Sequence, residues 1–189
     1  MPPVTAVLDA CVIYPATLRD FLMHLAVAGL YEARWTDHIH DEWIRNVLAD
    51  RPDLTADRLV YTRGRMDAAV PGGLVTGYED LIDALVLPDP DDRHVLAAAV
   101  RAVAGVIVTL NLKDFPAVVL AGHGVEAKHP DEFAVELVRG RPDAVIEVAR
   151  THRAALKNPP KAADEYLGSL AAVGLPRTAA ALAGFKDRL

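Results

Sequence analysis

Between Leu87 and Pro116 the chain reads LPDPDDRHVLAAAVRAVAGVIVTLNLKDFP: a polar loop, a helix, a glycine turn, a short β-branched strand and a second polar loop. Acids stand at both ends, Asp89, Asp91 and Asp92 before the helix and Asp114 after the strand. Val95, Leu96, Ala99 and Val103 recur at helical spacing, and Asp92 lies three residues before the first of them. That places its carboxylate in line with the apolar stripe, heading coreward rather than into water. A buried charge is costly without compensation, and a cation shared among carboxylates would supply it. Asp89 before Pro90 also fits an N-cap followed by a first-turn proline, and this capping role covers Asp89 and Asp91 better than it covers Asp92.

Outward from this unit the pattern repeats. Val4–Leu8 is a short apolar run ending at Asp9, as expected of a buried first strand with an acid at its carboxyl end. Ligands bind at that edge of open α/β sheets, but a cap for the next helix is an equal reading of Asp9. That helix starts near Ala16, with Leu18, Leu22, Leu25 and Ala26 on its apolar face. Tyr31–Thr36 suits a second strand, and Asp37 caps a helix to Leu48 whose inward stripe is Ile39, Trp43 and Val47. Glu42 flanks that stripe; on spacing alone it is a solvated acid paired with Arg45. Leu54–Val70 is a further helix whose arginines 58, 63 and 65 form a solvated face, and Leu74–Thr76 a small strand. Gly105 ends the helix begun at Asp92, Val106–Leu110 is a strand, Val125–Ala127 another, and Pro130–Arg139 a helix. Strands alternating with helices predict an α/β sandwich with a mostly parallel sheet. Beyond Arg141 only helical stripes remain, with a break at Asn158–Pro160, so residues 141–189 read as an all-helical C-terminal extension. Covering the domain, forming a homodimer or holding a partner are all open to it.

The 189 residues suffice for one domain with an extension, and a 52% hydrophobic, 24% charged composition is that of an ordinary globular protein. No apolar run reaches membrane-spanning length and the Met1–Ala6 start lacks a signal-peptide pattern, so no membrane partner and a cytoplasmic location are expected. Cys11 is the only cysteine, which excludes an internal disulfide and fits a reducing compartment. A net charge of −6 disfavours a broad basic grip on nucleic acid, although acids gathered in one cation site would leave local arginines free to meet phosphates.

In a parallel sheet wound in sequence, strand exits and the following helix starts share one edge, so Asp9, Asp92, Asn111 and Asp114 can converge there, with Glu42 joining from a neighbouring helix. Carboxylates about 4 Å apart repel by about 1–4 kcal/mol, and hard divalent cations relieve this. Metal-assisted phosphodiester hydrolysis fits such a site. An aspartyl phosphotransferase is disfavoured because Cys11 stands two residues after Asp9, where that chemistry wants an acid. Cys11 also has no partner near it in sequence, and His38 and His40 diverge on a helix, which disfavours a thiol hydrolase and a zinc pair.

Five segments taken in order, VLDACVIYP, DHIHDEWIRN, LPDPDDRHVLAAAV, VIVTLNLKDFP and VEAKHPDEF, resemble PIN-domain proteins of the kind found as VapC-type toxins of bacterial toxin–antitoxin pairs. The resemblance runs over roughly residues 4–139. It implies a PIN-like three-layer α/β/α sandwich over residues 1–140, followed by the extension, and a Mg²⁺- or Mn²⁺-dependent endoribonuclease acting on RNA beside a small antitoxin. The family's acids match Asp9, Glu42 and Asp92 as metal ligands and catalytic groups, with Glu42 acting through water. At the fourth position, where the family often carries Thr-x-Asp, this chain has Thr109-Leu110-Asn111. Asn111 offers a carbonyl oxygen and Asp114 a charge three residues on. The same departure motivates the alternative of a degenerate module that binds without cutting. Arg19, Arg45 and Arg93 are candidate phosphate contacts.

Overall fold

The computed structural model describes residues 3–157 and 159–189. Asn158, part of the expected helix break, lies outside them. In chain order the elements are β1 (Thr5–Leu8), α1 (Ala10–Ile13), α2 (Ala16–Val27), β2 (Glu32–Arg34), α3 (Asp37–Asp50), α4 (Ala56–Ala69), α5 (Arg93–Arg101), β3 (Val106–Val108), α6 (Ala117–Ala121), β4 (Glu126–Lys128), α7 (Pro130–Gly140), α8 (Pro142–Ala155), α9 (Ala163–Ala172) and α10 (Pro176–Ala183). Short 3₁₀ turns lie at Glu79–Ala84, Pro90–Asp92, Leu112–Asp114 and Lys186–Arg188. They fall into two compact units, Met1–Tyr14 with Tyr31–Lys128, and Pro15–Leu30 with His129–Leu189.

The first unit holds the sheet, four parallel strands in the order β2-β1-β3-β4. The fold is α/β, as the alternating pattern requires, and the sheet is wholly parallel among the described residues. β1 and β3 are central, and Ala6, Val7, Leu8, Val106, Ile107 and Val108 are buried, which is why both read as unbroken apolar runs. Helix α5 packs on β1 and β3 through Val95, Leu96 and Ala99. Helix α3 buries Ile39, Trp43 and Val47, capped by Thr36, whose hydroxyl accepts from the Ile39 amide at 3.1 Å. The indole of Trp43 donates to His40 Nδ1 at 2.9 Å, and that of Trp35 to Asp67 Oδ1 at 2.7 Å, so the two large rings keep hydrogen bonds while buried.

Several local expectations change. The expected strand at Leu74–Thr76 is a single bridge, Leu74 to Trp35. Helix α5 stops at Arg101, before Gly105, and Val103 follows in the left-handed region at φ 52° with its side chain exposed. The Ala104 amide reaches the Ala99 carbonyl at 2.9 Å and the Val103 amide that of Val100 at 3.2 Å. This is a Schellman ending, with valine where glycine is usual. Val103 therefore leaves the apolar stripe: burying it would require another turn of helix, and the carbonyls are satisfied without one. A one-turn helix, α1, follows Asp9 directly.

The second unit is helical. Helix α2 buries Leu18, Leu22, Leu25 and Ala26, the expected face. Helix α10 is held at its N-terminus by buried Asp131 of α7, whose carboxylate accepts from the Arg177 and Thr178 amides at 2.9 and 2.8 Å and from the Thr178 hydroxyl at 2.8 Å. No helix of the described residues is long and apolar enough to cross a membrane.

Candidate active site

The carboxyl ends of β1 and β3 lie side by side, joined by the Asp9 amide donating to the Val108 carbonyl at 3.1 Å. Asp9 leaves β1 there, 3% exposed. Its Oδ1 accepts from the Ala10 amide at 2.6 Å, so it does cap α1, and its Oδ2 accepts from the Thr109 hydroxyl at 2.7 Å and the Cys11 thiol at 3.1 Å. The two readings of Asp9, cap and edge acid, hold together. Burial pushes its carboxyl up and the charge of Glu42 adds to this, while the bonds from Thr109, Cys11 and Ala10 pull the other way.

Thr109 is buried and links the two strand exits, since its oxygen also accepts from the Asn111 amide at 3.0 Å. Cys11 completes the junction, with Sγ accepting from the Leu110 amide at 3.3 Å. Burial first, and then Asp9, pushes its thiol up to about 12, so Cys11 stays protonated and serves as a donor rather than a nucleophile.

Asp92 ends the Pro90–Asp92 turn and makes no capping bond, in contrast to Asp89, whose Oδ1 accepts from the Asp91 amide at 2.9 Å. Burial, then the charges of Asp9, Asp89, Asp114 and Glu42, push the Asp92 carboxyl up to about 7. Acids from the end of β1, from α3, from the turn before α5 and from the turn after β3 therefore act on Asp92, and Glu42 acts on Asp9 as well. Asp9, Glu42 and Asp114 thus lie within electrostatic reach of Asp92. Asn111 is exposed beside Thr109, and its backbone amide ties it to the site.

Glu42 does not take the expected Arg45 partner. Its Oε2 stands 3.4 Å from Nε2 of His94, which is 3% exposed and stacks on His38 at 3.9 Å between ring centroids. Nδ1 of His94 is buried without a hydrogen-bond partner among the described residues. Sequence spacing gave no hint of His94, because its partners lie on another helix; only its place two residues after Asp92 marks it. His38 and His40 do diverge, the latter toward Asp67 at 3.3 Å. Of the arginines, Arg45 is exposed on α3, Arg93 is half-buried next to Asp92 with Nε unpartnered among the described residues, and Arg19 belongs to the other compact unit.

The carboxylates acting on Asp92 offer hard oxygen atoms, which suit Mg²⁺ or Mn²⁺ and not a soft ion. Among the described residues no three of these acids bring one oxygen each within 4.8 Å of the others. So wide a spacing fits an ion that keeps several waters in its shell.

Comparison with known proteins gives the family. The PIN domain family matches residues 5–113, more than half of the chain, and the VapC50 C-terminal domain matches residues 130–184. A relative named "Putative ribonuclease VapC50", from Mycobacterium tuberculosis (strain ATCC 25618 / H37Rv), is 50% identical over 72 residues, 36% of this chain and 42% of that protein's own length. No solved structure matches the chain. The chain belongs to the PIN domain family and is VapC-like, its PIN match followed by a VapC50-type C-terminal domain.

Proposed function

We propose that this protein is a divalent-metal-dependent endoribonuclease, the toxin of a toxin–antitoxin pair. The observation that carries the reading is the junction of the β1 and β3 exits, where Asp9 is 3% exposed and held by Thr109, with the charges of Asp9, Asp89, Asp114 and Glu42 acting on half-buried Asp92. Such a site is unfavourable alone and favourable around a cation. In this reading Asp9 and Asp92 hold Mg²⁺ or Mn²⁺, Asp114 and the Asn111 carbonyl complete the set, and Glu42 orients the attacking water. A bound ion of this kind lowers the pKa of a water and stabilises charge developing on the phosphoryl oxygens. Thr109 and Cys11 fix the orientation of Asp9 through Oδ2, and His94 holds Glu42 over the pocket. Arg93 and Arg45 contact the RNA phosphates beside the site. The ribonuclease name of the VapC50 relative supports the substrate class.

The test is cleavage of single-stranded RNA in Mg²⁺ or Mn²⁺. Asp9→Asn or Asp92→Asn should lower the rate by at least about 100-fold with the fold intact by circular dichroism. Cleavage unchanged in both variants would remove the proposed site. For the toxin role, expression should arrest growth and co-expression of a small neighbouring-gene product should relieve it. Harmless expression of active enzyme would contradict that part.

A second reading is a PIN module that binds RNA or a protein without cutting. It is favoured by Asn111 at the fourth acid position and by the wide spacing of the carboxylates. Stabilisation by Mn²⁺ and binding of RNA, without cleavage of any RNA in the cell's total pool, would select it.

A further inference from the structure

We propose that Asp20, His24 and His152 form a binding site for a divalent transition-metal ion, Zn²⁺ by donor chemistry, within the helical unit and using none of the acids described above. These residues bring one oxygen and two ring nitrogens within 4.8 Å of one another. Asp20 and His24 stand four residues apart on α2, so they share one face of it, and α8 supplies His152.

The Asp20 carboxylate sits between the two imidazoles. Oδ2 is 3.0 Å from His152 Nε2, Oδ1 is 3.7 Å from His24 Nδ1, and the ring centroids are 4.8 Å apart. Ligand atoms about 2.0–2.1 Å from a tetrahedral ion stand about 3.3 Å from one another. The two separations from Asp20 bracket that value, and all three ligand atoms lie within 4.8 Å of one another, so rotations of the side chains suffice to close them around an ion.

A hydrogen-bonded buried histidine would not need this arrangement. His152 is fully buried and already has Asp20 at one nitrogen and the Tyr166 hydroxyl, 3.0 Å away, at the other. The second imidazole, His24, satisfies nothing on His152. A carboxylate only accepts, so without metal His152 carries its proton on Nε2 and accepts from Tyr166 at Nδ1. When Nε2 turns to an ion the proton moves to Nδ1 and the Tyr166 oxygen accepts it. The tyrosine hydroxyl serves either tautomer, as the outer partner of a metal-bound histidine must. His24 Nδ1 donates to the Asp20 carbonyl at 2.8 Å, a bond it exchanges for the ion, with the ring proton then carried on Nε2. The His152 bond holds the Asp20 carboxyl below the usual carboxylate range, so the anionic ligand is formed in advance. The side chains of His24 and Asp20 are 31% and 52% exposed, which opens a path for the ion and room for water as the fourth ligand.

The test uses the full chain stripped of metal by chelation, then titrated with Zn²⁺ and, as a spectroscopic probe, Co²⁺. The wild type should take up one Zn²⁺ in the presence of saturating Mg²⁺ and give the intense visible bands of tetrahedral Co²⁺. Its Tm should rise by about 5–10 °C at Zn²⁺ about 100-fold above Kd. His24→Ala, at a partly exposed position, should remain folded, lose the Co²⁺ bands and weaken Zn²⁺ binding at least about 10-fold. Asp20→Asn should do the same. Absence of Zn²⁺ uptake by the wild type, or uptake and Co²⁺ bands equal in both variants, would overturn the site.

Discussion

Asp92→Asn should make the metal-free protein more stable while removing the ribonuclease activity proposed for it. The wild-type carboxyl moves from 3.8 toward about 7 on folding, because burial and four neighbouring acids disfavour its charge. With the folded value above the unfolded one, its stabilising contribution is complete below pH 3.8 and lost as pH rises through about 7. A shift of that size at face value is about 4 kcal/mol. Asp92 is only partly removed from solvent, and screening reduces the figure to about 1–2 kcal/mol. Asparagine keeps the shape without the charge. In urea unfolding with EDTA, Asp92→Asn should exceed the wild type by about 1–2 kcal/mol at pH 8 and by little at pH 4.5. Millimolar Mg²⁺ or Mn²⁺ should close the gap at pH 8 by stabilising only the wild type. A variant less stable than the wild type at pH 8, or a gain equal at both pH values, would refute the reasoning.

Two further outcomes follow from particular contacts. Thr109→Val removes the 2.7 Å bond to Asp9 Oδ2, which pulls that carboxyl down, so the acid limb of the RNA-cleavage pH profile should move to higher pH. The urea midpoint should fall, by about 1–3 kcal/mol in stability, because a buried carboxylate oxygen loses a donor. Val103→Gly should stabilise the protein by about 1 kcal/mol in thermal or urea unfolding, since glycine takes a left-handed φ freely and the valine side chain there contacts mostly solvent.

Much of the first unit could be read from local pattern. β1 and β3 are apolar runs because both are central in a parallel sheet, and Asp92 announced itself by falling on the α5 stripe. That Asp9 and Asp114 act on Asp92 follows from one topological rule, that strand exits and the following helix starts share an edge, whereas Glu42 comes from within α3. What stayed hidden depends on partners distant in the chain. The pairing of Glu42 with His94, rather than Arg45, is set by how α3 and α5 lie in the first unit. Asp20 and His152 are 132 positions apart, and no spacing rule joins them. Cys11 has no partner near it in sequence by type, yet its thiol bridges Asp9 and the Leu110 amide, a role set by the meeting of the two strand exits. Val103 misled because periodicity extends a stripe as long as residues stay apolar, whereas the α5 carbonyls are satisfied one turn sooner.

Direct Mn²⁺ binding, followed by electron paramagnetic resonance or calorimetry on the wild type, Asp9→Asn, Glu42→Gln and Asp92→Asn, tests the shared carboxylate site most closely. The wild type should bind Mn²⁺, Asp9→Asn and Asp92→Asn should each weaken it at least about 10-fold, and Glu42→Gln should weaken it less, as befits a ligand acting through water. Equal Mn²⁺ affinity in all four proteins would mean that these acids do not hold an ion together, and the nuclease proposal would fall with them.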